Sequence, residues 1–161
     1  LPICLQGRYA EFAGAVVNPD EEIVVVTEPG TELEAKVRLA RIGYDKLLGW
    51  VSVDDLGSDF ENVVQGSRLT RAQFAVRRHK VDNVQLVDVR NEGEYETGSI
   101  DGAKNIPIAQ LRSRIGELDP AKPTVVFCAG GYRSSIAASL LREAGFADVS
   151  DVLGGYAAIA A

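Results

Sequence analysis

The amino-acid sequence predicts an α/β fold built on a parallel sheet with helices on both faces. Three observations lead there. Short β-branched runs alternate with stretches of helical periodicity. The loops between them are short, and strand, helix, strand joined by short loops closes as a right-handed parallel crossover. The same strand–helix–strand grammar then occurs twice along the chain.

The first occurrence begins with Ile23-Val24-Val25-Val26, an apolar run that reads as a buried strand and ends at the Pro29-Gly30 turn. Glu32 to Arg41 follows, with Leu33, Val37 and Ala40 at helical spacing and Gly43 as the stop. Leu47 to Val51 is the returning strand. In the second occurrence Thr124 to Phe127 is a strand, and Ser134 to Ala144 a helix with Ile136, Ala137, Leu140 and Leu141 on one face. Gly145 stops that helix, and Val149 to Leu153 is a short strand before Gly154-Gly155. Ala40-Arg41-Ile42-Gly43-Tyr44 parallels Arg142-Glu143-Ala144-Gly145-Phe146, and Leu1-Pro2-Ile3 parallels Ile106-Pro107-Ile108. This is read as an internal duplication.

The second copy also has a front half: an amphipathic helix over Arg71 to His79 with Phe74 on its apolar side, then a strand over Val84 to Val89. Nothing equivalent precedes Leu1, so the first unit reads as a repeat cut at its N-terminus. The stretch from Asp54 to Asn62 is acidic and irregular. The expected organisation is a partial unit over residues 1–54, a linker over 55–63 and a complete unit over 64–161.

Composition bounds the function. The 161 residues suffice for one ordinary domain or two small ones. A net charge of −6 argues against phosphate-backbone binding, and no nucleic-acid partner is expected. No apolar run approaches the ~20 residues that span a bilayer, and no membrane partner is expected. Only Cys4 and Cys128 are present, which fits a reducing, cytoplasmic setting better than a disulfide scaffold. No His/Asp cluster suggests a metal site, and no cofactor motif is read. The sequence contains no Met, so the chain is expected to be a processed product or a piece of a longer polypeptide.

The chemistry concentrates in Phe127-Cys128-Ala129-Gly130-Gly131-Tyr132-Arg133-Ser134-Ser135. A strand delivers Cys128 to the C-terminal edge of the sheet, where open α/β sheets bind ligands. A Gly-containing loop follows, whose N–H groups can converge on one anion, and then a helix N-terminus. Arg133 adds a permanent charge. All three favour an anion at the Cys128 sulfur. Cys4 is read as a small buried residue outside this chemistry, and His79 as a surface or packing histidine.

Residues 84–161 resemble a rhodanese domain. The resemblance rests on Leu86-Val87-Asp88-Val89-Arg90, Glu94-Tyr95, Gly98-Ser99-Ile100 and Gly102-Ala103-Lys104-Asn105-Ile106-Pro107, then on Cys128 to Ser134 and the closing Leu153-Gly154-Gly155-Tyr156. It implies transfer of a sulfane sulfur from a small-molecule donor, such as thiosulfate or a persulfide, to a thiol or cyanide through a Cys128 persulfide. It implies Cys128 and Arg133 as catalytic residues, and Ala129, Gly130, Gly131, Tyr132 and Ser134 as the persulfide cradle and substrate mouth. Arg90 is added as a substrate-binding candidate for its positive field, although Asp88 and Arg90 read first as an ion pair anchoring the next loop. Glu94 reads as structural. Ser99 departs from the family, which usually has His there.

The first unit has Thr27 or Glu28 where the second has Cys128, and Glu28, Glu32 and Glu34 would repel an anionic donor. It is read as a catalytically silent rhodanese-like unit. A silent unit beside an active one also resembles the C-terminal portion of fusion proteins in which a metallo-β-lactamase-fold domain of the persulfide dioxygenase type comes first. Arg8 to Gly14 and Arg38 to Tyr44 suggest that upstream partner. Two other readings are weighed. Cys-dependent phosphatases place five residues between Cys and Arg, whereas four stand here, and no Asp general acid is evident. A rhodanese fold can also serve as a non-catalytic binding or redox-sensing module.

Overall fold

The computed structural model describes residues 1–56 and 65–161, so most of the linker expected over 55–63 lies outside the described residues. The chain divides into two compact units, one spanning Ile3–Gln65 and the other containing Gly66–Ala161.

In the first unit α1 (Tyr9–Val16) precedes β1 (Ile23–Thr27), α2 (Glu32–Ala40) and β2 (Leu47–Ser52). β1 and β2 pair in parallel, as a right-handed crossover through α2 requires. Tyr9 and Ala13 of α1 pack with Val25, Ala35, Leu39 and Tyr44 around a small core. Two expectations are corrected here. β1 is buried on one side only: Val25 and Thr27 point inward, whereas Val24 is 53 % exposed and Val26 nearly as much. A two-stranded sheet covered by helices on one face leaves alternate residues of an apolar run in solvent. The buried face of α2 is also not the Leu33, Val37, Ala40 stripe, which is exposed. Ala35 and Leu39, at i and i+4, form it instead. A nine-residue helix offers two candidate apolar faces, and the small Ala35 lets the helix lie closer to the strands.

The second unit holds β3 (Ser67–Leu69), α3 (Arg71–Lys80), β4 (Gln85–Asp88), α4 (Glu92–Glu96), β5 (Ala103–Asn105), α5 (Leu111–Arg114), β6 (Thr124–Phe127), α6 (Tyr132–Glu143), β7 (Val149–Val152) and α7 (Gly155–Ala160). Its five strands run in the order β3-β7-β6-β4-β5, every neighbouring pair parallel. β6 and β7 are buried along their whole length, as strands covered on both faces must be. On one face Phe74 of α3 packs with Leu86, Val125, Phe127 and Val152. The intervening Val126 points to the other face, and α6 packs across β6 and β7. α3 starts with a reciprocal cap: Gln73 N–H donates to Thr70 Oγ1 (3.3 Å), and Thr70 N–H donates to Gln73 Oε1 (2.8 Å).

The two βαβ segments end their helices alike. Gly43 and Gly145 both take positive φ, 83° and 90°. Tyr44 N–H donates to Leu39 O at 3.2 Å, and Phe146 N–H to Leu141 O at 3.1 Å, with both rings buried. Each glycine supplies the left-handed residue that turns the chain back into the sheet.

Chain direction reverses between β4 and its neighbour β6: the path leaves β4 towards β5, and leaves β6 towards β7. In open α/β sheets ligands bind at such a reversal, outside the C-terminal ends of the two strands. The segments emerging there are Val89–Asn91 and Cys128–Gly131. Among the described residues no helix is long and apolar enough to cross a membrane, and no group of three or more His, Cys, Asp or Glu side chains could hold a metal ion.

Candidate active site

Cys128 follows the last residue of β6 and is 1 % exposed. Gly131 N–H donates to its Sγ at 3.1 Å, and Ser134 Oγ lies 3.6 Å from the same sulfur. Gly131 takes φ +98° and is the N-cap of α6. A Cβ there would stand 3.3 Å from both Gly154 N and Val152 O, so side chains are excluded by conformation and by space. α6 begins at Tyr132, two residues before the start expected from sequence. Tyr132, Arg133 and Ser134 therefore occupy its first turn, at the positive end of the helix. The loop proper is Cys128 to Gly131.

Two loop carbonyls are fixed from outside. Tyr156 N–H donates to Cys128 O at 2.6 Å, and Ala157 N–H donates to Ala129 O at 3.1 Å. α7 thus spends its first N–H groups on the active-site loop. This approach explains Leu153-Gly154-Gly155-Tyr156. A Cβ on Gly155 would meet Cys128 O at 2.2 Å, and the residue holds φ +56°. A trans peptide points its N–H opposite its C=O, so carbonyls held outward leave N–H groups facing inward.

Arg133 reaches the site, but not as a free cation. Its Nη1 and Nη2 donate to Glu94 Oε2 and Oε1 at 2.6 and 2.8 Å. Its pKa is raised above the ordinary value, first by the Glu94 hydrogen bond, with the Cys128 sulfur a smaller contributor. The reciprocal effect lowers the Glu94 carboxyl from 4.5 to about 2. Glu94, read from sequence as structural, is the direct partner of the site arginine.

Arg90 is engaged within the protein. It is buried, donates to Asp88 Oδ1 through Nε (3.0 Å) and to Oδ2 through Nη2 (2.7 Å), and donates to Gly98 O at 2.7 Å. Its guanidinium carbon lies 4.0 Å from the centroid of the Tyr156 ring. Asp88 also accepts from Arg90 N–H at 3.0 Å and from Ser99 Oγ–H at 2.8 Å. Asn105 Nδ2 donates to Asp88 O and Arg90 O, tying β5 to the same knot. These bonds tie the Asp88-Val89-Arg90 and Gly98-Ser99 motifs together around the loop after β4. Ser99, in place of the family's usual His, supplies one of the donors that this buried carboxylate needs.

Sequence reading missed Arg68. This residue of β3 donates from Nε to Asp151 Oδ1 (3.0 Å) and from Nη2 to Asp151 Oδ2 (2.9 Å), and Nη2 also donates to Gly131 O at 3.2 Å. The signal was out of reach because the partner lies 83 residues away, on a strand whose register only the fold fixes. Cys4 is exposed rather than buried, and His79 is on the surface. The loop alanine and glycine differ: Ala129 is half-buried and Gly130 exposed at the rim. Arg133, Arg90 and Arg68 are each matched by a carboxylate, and Gly131 N–H at the head of α6 is the backbone donor to the sulfur.

Residues 71–161 match the family model described as a rhodanese-like domain. An uncharacterized protein, YqhL, of Bacillus subtilis is 39 % identical over 88 residues, covering 55 % of this chain and 68 % of that protein. The thiosulfate sulfurtransferase GlpE of Shewanella oneidensis is 40 % identical over 83 residues, covering 52 % of this chain and 82 % of that one. Among solved structures, a rhodanese-related protein from Thermoplasma volcanium aligns with TM-score 0.53 and 31 % identity, over 58 % of this chain and 90 % of its own. With its buried strand-end cysteine, N–H-lined loop and matching sequence, the chain belongs to the rhodanese-like domain family.

Proposed function

We propose that the second unit is a sulfurtransferase that carries sulfur as a Cys128 persulfide. The observation behind this reading is the 3.1 Å hydrogen bond from Gly131 N–H to Cys128 Sγ at the head of α6. Such a donor set stabilises an anion on this sulfur, and on one further sulfur bonded to it. In the first step the Cys128 thiolate attacks the outer sulfur of thiosulfate. The new S–S bond forms as the sulfur–sulfur bond of the donor breaks, and sulfite leaves with the electron pair. In the second step cyanide or a thiolate attacks the outer persulfide sulfur, and Cys128 leaves as the thiolate. This is covalent catalysis in two halves, and ping-pong kinetics follow. Cys128 to Arg133 is one residue shorter than the phosphatase loop, which suits a single sulfur better than a phosphoryl group.

Arg133, Ala129, Gly130, Gly131, Tyr132 and Ser134 surround that sulfur in this reading. Arg133 contacts the donor while Glu94 holds it in place. The first unit is a silent, partial copy: Thr27 ends β1 where Cys128 follows β6, and the shared Gly43 and Gly145 helix stops support a common origin. On this view the chain is the tandem portion of a cytoplasmic protein that has a metallo-β-lactamase-fold domain upstream.

Mass spectrometry after incubation with thiosulfate tests the central step. The Cys128 peptide of the native protein should gain one sulfur atom, lose it on addition of cyanide, and gain none in Cys128→Ser. Absence of that adduct on the folded native protein refutes the reading.

A further inference from the structure

We infer that Arg68, on the edge strand β3, is a positioning residue for the sulfur cradle: it holds the Gly131 carbonyl outward so that the next peptide N–H faces Cys128. The inference concerns the same site as the proposed sulfur transfer and rests on that reading for the identity of the cargo. Arg68 precedes the residues 71–161 matched by the family model.

Three observations support it. First, Arg68 Nη2 is 3.2 Å from Gly131 O and 2.9 Å from Asp151 Oδ2, so one nitrogen bridges the loop and a buried carboxylate. Second, β3 pairs with β7 so that Arg68 lies directly opposite Asp151, fixing the base of the long side chain. Third, the Gly131 contact adds to a series. Cys128 O and Ala129 O are already held by Tyr156 N–H and Ala157 N–H. Gly131 O belongs to the peptide whose N–H is that of Tyr132. With this carbonyl turned to Arg68, the trans geometry aims the Tyr132 N–H the opposite way, the side on which Gly131 N–H meets the sulfur. Gly131 is the N-cap of α6, so its carbonyl also accepts the first intrahelical hydrogen bond, and Arg68 adds a second donor that fixes the same oxygen from the sheet side.

Arg68 also feels the sulfur. Its pKa is raised above the ordinary value mainly by the Asp151 hydrogen bond, with the Cys128 sulfur adding to the shift. Its side chain is 45 % exposed, unlike that of Asp151 at 3 %, so the guanidinium stands at the boundary between loop and solvent.

The test uses the intact chain and two readouts. One is the rate of Cys128 alkylation by iodoacetamide, with exposed Cys4 as internal reference. The other is single-turnover persulfide formation from thiosulfate. The variants are Arg68→Ala, Arg68→Lys and the double Arg68→Met, Asp151→Asn, which removes the ion pair without leaving a buried charge. Arg68→Ala and the double variant should slow Cys128 alkylation by about five- to tenfold, with the Cys4 rate unchanged. Arg68→Lys keeps a cation beside Asp151, and so most of the stability. One ammonium lacks the fork that serves both acceptors, so alkylation should remain slowed about threefold or more. Alkylation of Cys128 at the native rate in the folded double variant would overturn the inference, because Arg68 would then matter only to Asp151. If alkylation slows as expected but native protein acquires no persulfide, Arg68 still positions the loop and the sulfur-transfer reading is the one that fails.

Discussion

Replacing Gly155 by alanine perturbs the active-site loop from a residue that never touches the sulfur. The added methyl would meet Cys128 O at 2.2 Å and Ala129 C and O at 2.8 Å. These are backbone atoms that cannot swing aside, so the first turn of α7 must retreat. Retreat breaks the hydrogen bonds from Tyr156 N–H to Cys128 O and from Ala157 N–H to Ala129 O. Two such bonds are worth about 1 kcal/mol each. The left-handed conformation at φ +56° adds roughly 1 kcal/mol for a residue with a Cβ. The sum is about 3 kcal/mol, a large share of the roughly 5–15 kcal/mol that holds a domain folded. Urea unfolding should show that loss, and single-turnover persulfide formation at temperatures where the variant is folded should fall by about tenfold or more. Gly130→Ala is the control from the same loop. A Cβ there meets nothing within 4 Å, so stability should change by no more than about 0.5 kcal/mol. If Gly155→Ala stays within about 1 kcal/mol of the native protein and forms persulfide at the native rate, α7 does not hold the loop carbonyls as described.

Two further outcomes follow from the paired charges. Arg90→Ala should destabilise by about 3–5 kcal/mol, since it strands the buried Asp88 carboxylate, and this unfolding cost should exceed any effect on donor KM; a well-folded Arg90→Ala protein with a selectively raised KM would restore Arg90 to the substrate site. Glu94→Gln keeps an oxygen for the Asn91 N–H cap but removes the charge facing Arg133. Because the folded-state carboxyl titrates at about 2, below its ordinary 4.5, the ion pair stabilises above pH 4.5 and is lost as pH falls towards 2. Full linkage would give ~3 kcal/mol, but the Glu94 side chain is 36 % exposed and solvent screening reduces this to about 1 kcal/mol. Denaturation curves for the native and Gln proteins should therefore differ at pH 7 and converge between pH 4.5 and 2; a constant gap across that range would show that the pair contributes nothing.

The local grammar of the fold was legible because it depends on neighbours in sequence. The strand at Thr124, the apolar face of α6 and the stops at Gly43 and Gly145 all follow from periodicity and conformational preference within a few residues. Burial was harder to read where it depends on what covers an element. Val24 and Leu33 look like core residues by composition, yet they face solvent because the two-stranded sheet is covered on one side and Ala35 brings α2 in on another face. The site divides in the same way. Cys128, Gly131 and Arg133 were found because strand, loop and helix start are contiguous. Glu94 and Arg68 were not, because each meets the site only through the sheet: Glu94 from the helix after β4, Arg68 from the edge strand paired with β7.

This division bears on how the sulfur is stabilised. An arginine beside a cysteine suggests a positive pocket, but Arg133 is neutralised by Glu94, Arg68 by Asp151 and Arg90 by Asp88. Pairing weakens each arginine's pull on the sulfur, which gives oriented N–H dipoles a larger share of the field. Dipoles act only while their peptides are held, because a peptide that rotates offers its carbonyl instead. The cradle consequently needs more than the loop that bears it. Tyr156 and Ala157 from the closing helix and Arg68 from β3 each hold one carbonyl away from the sulfur. The smallest segment that can hold the anion in this way runs from β3 to α7, so a fragment starting at α3 would retain Cys128 and its loop but lose the Arg68 contact with Gly131.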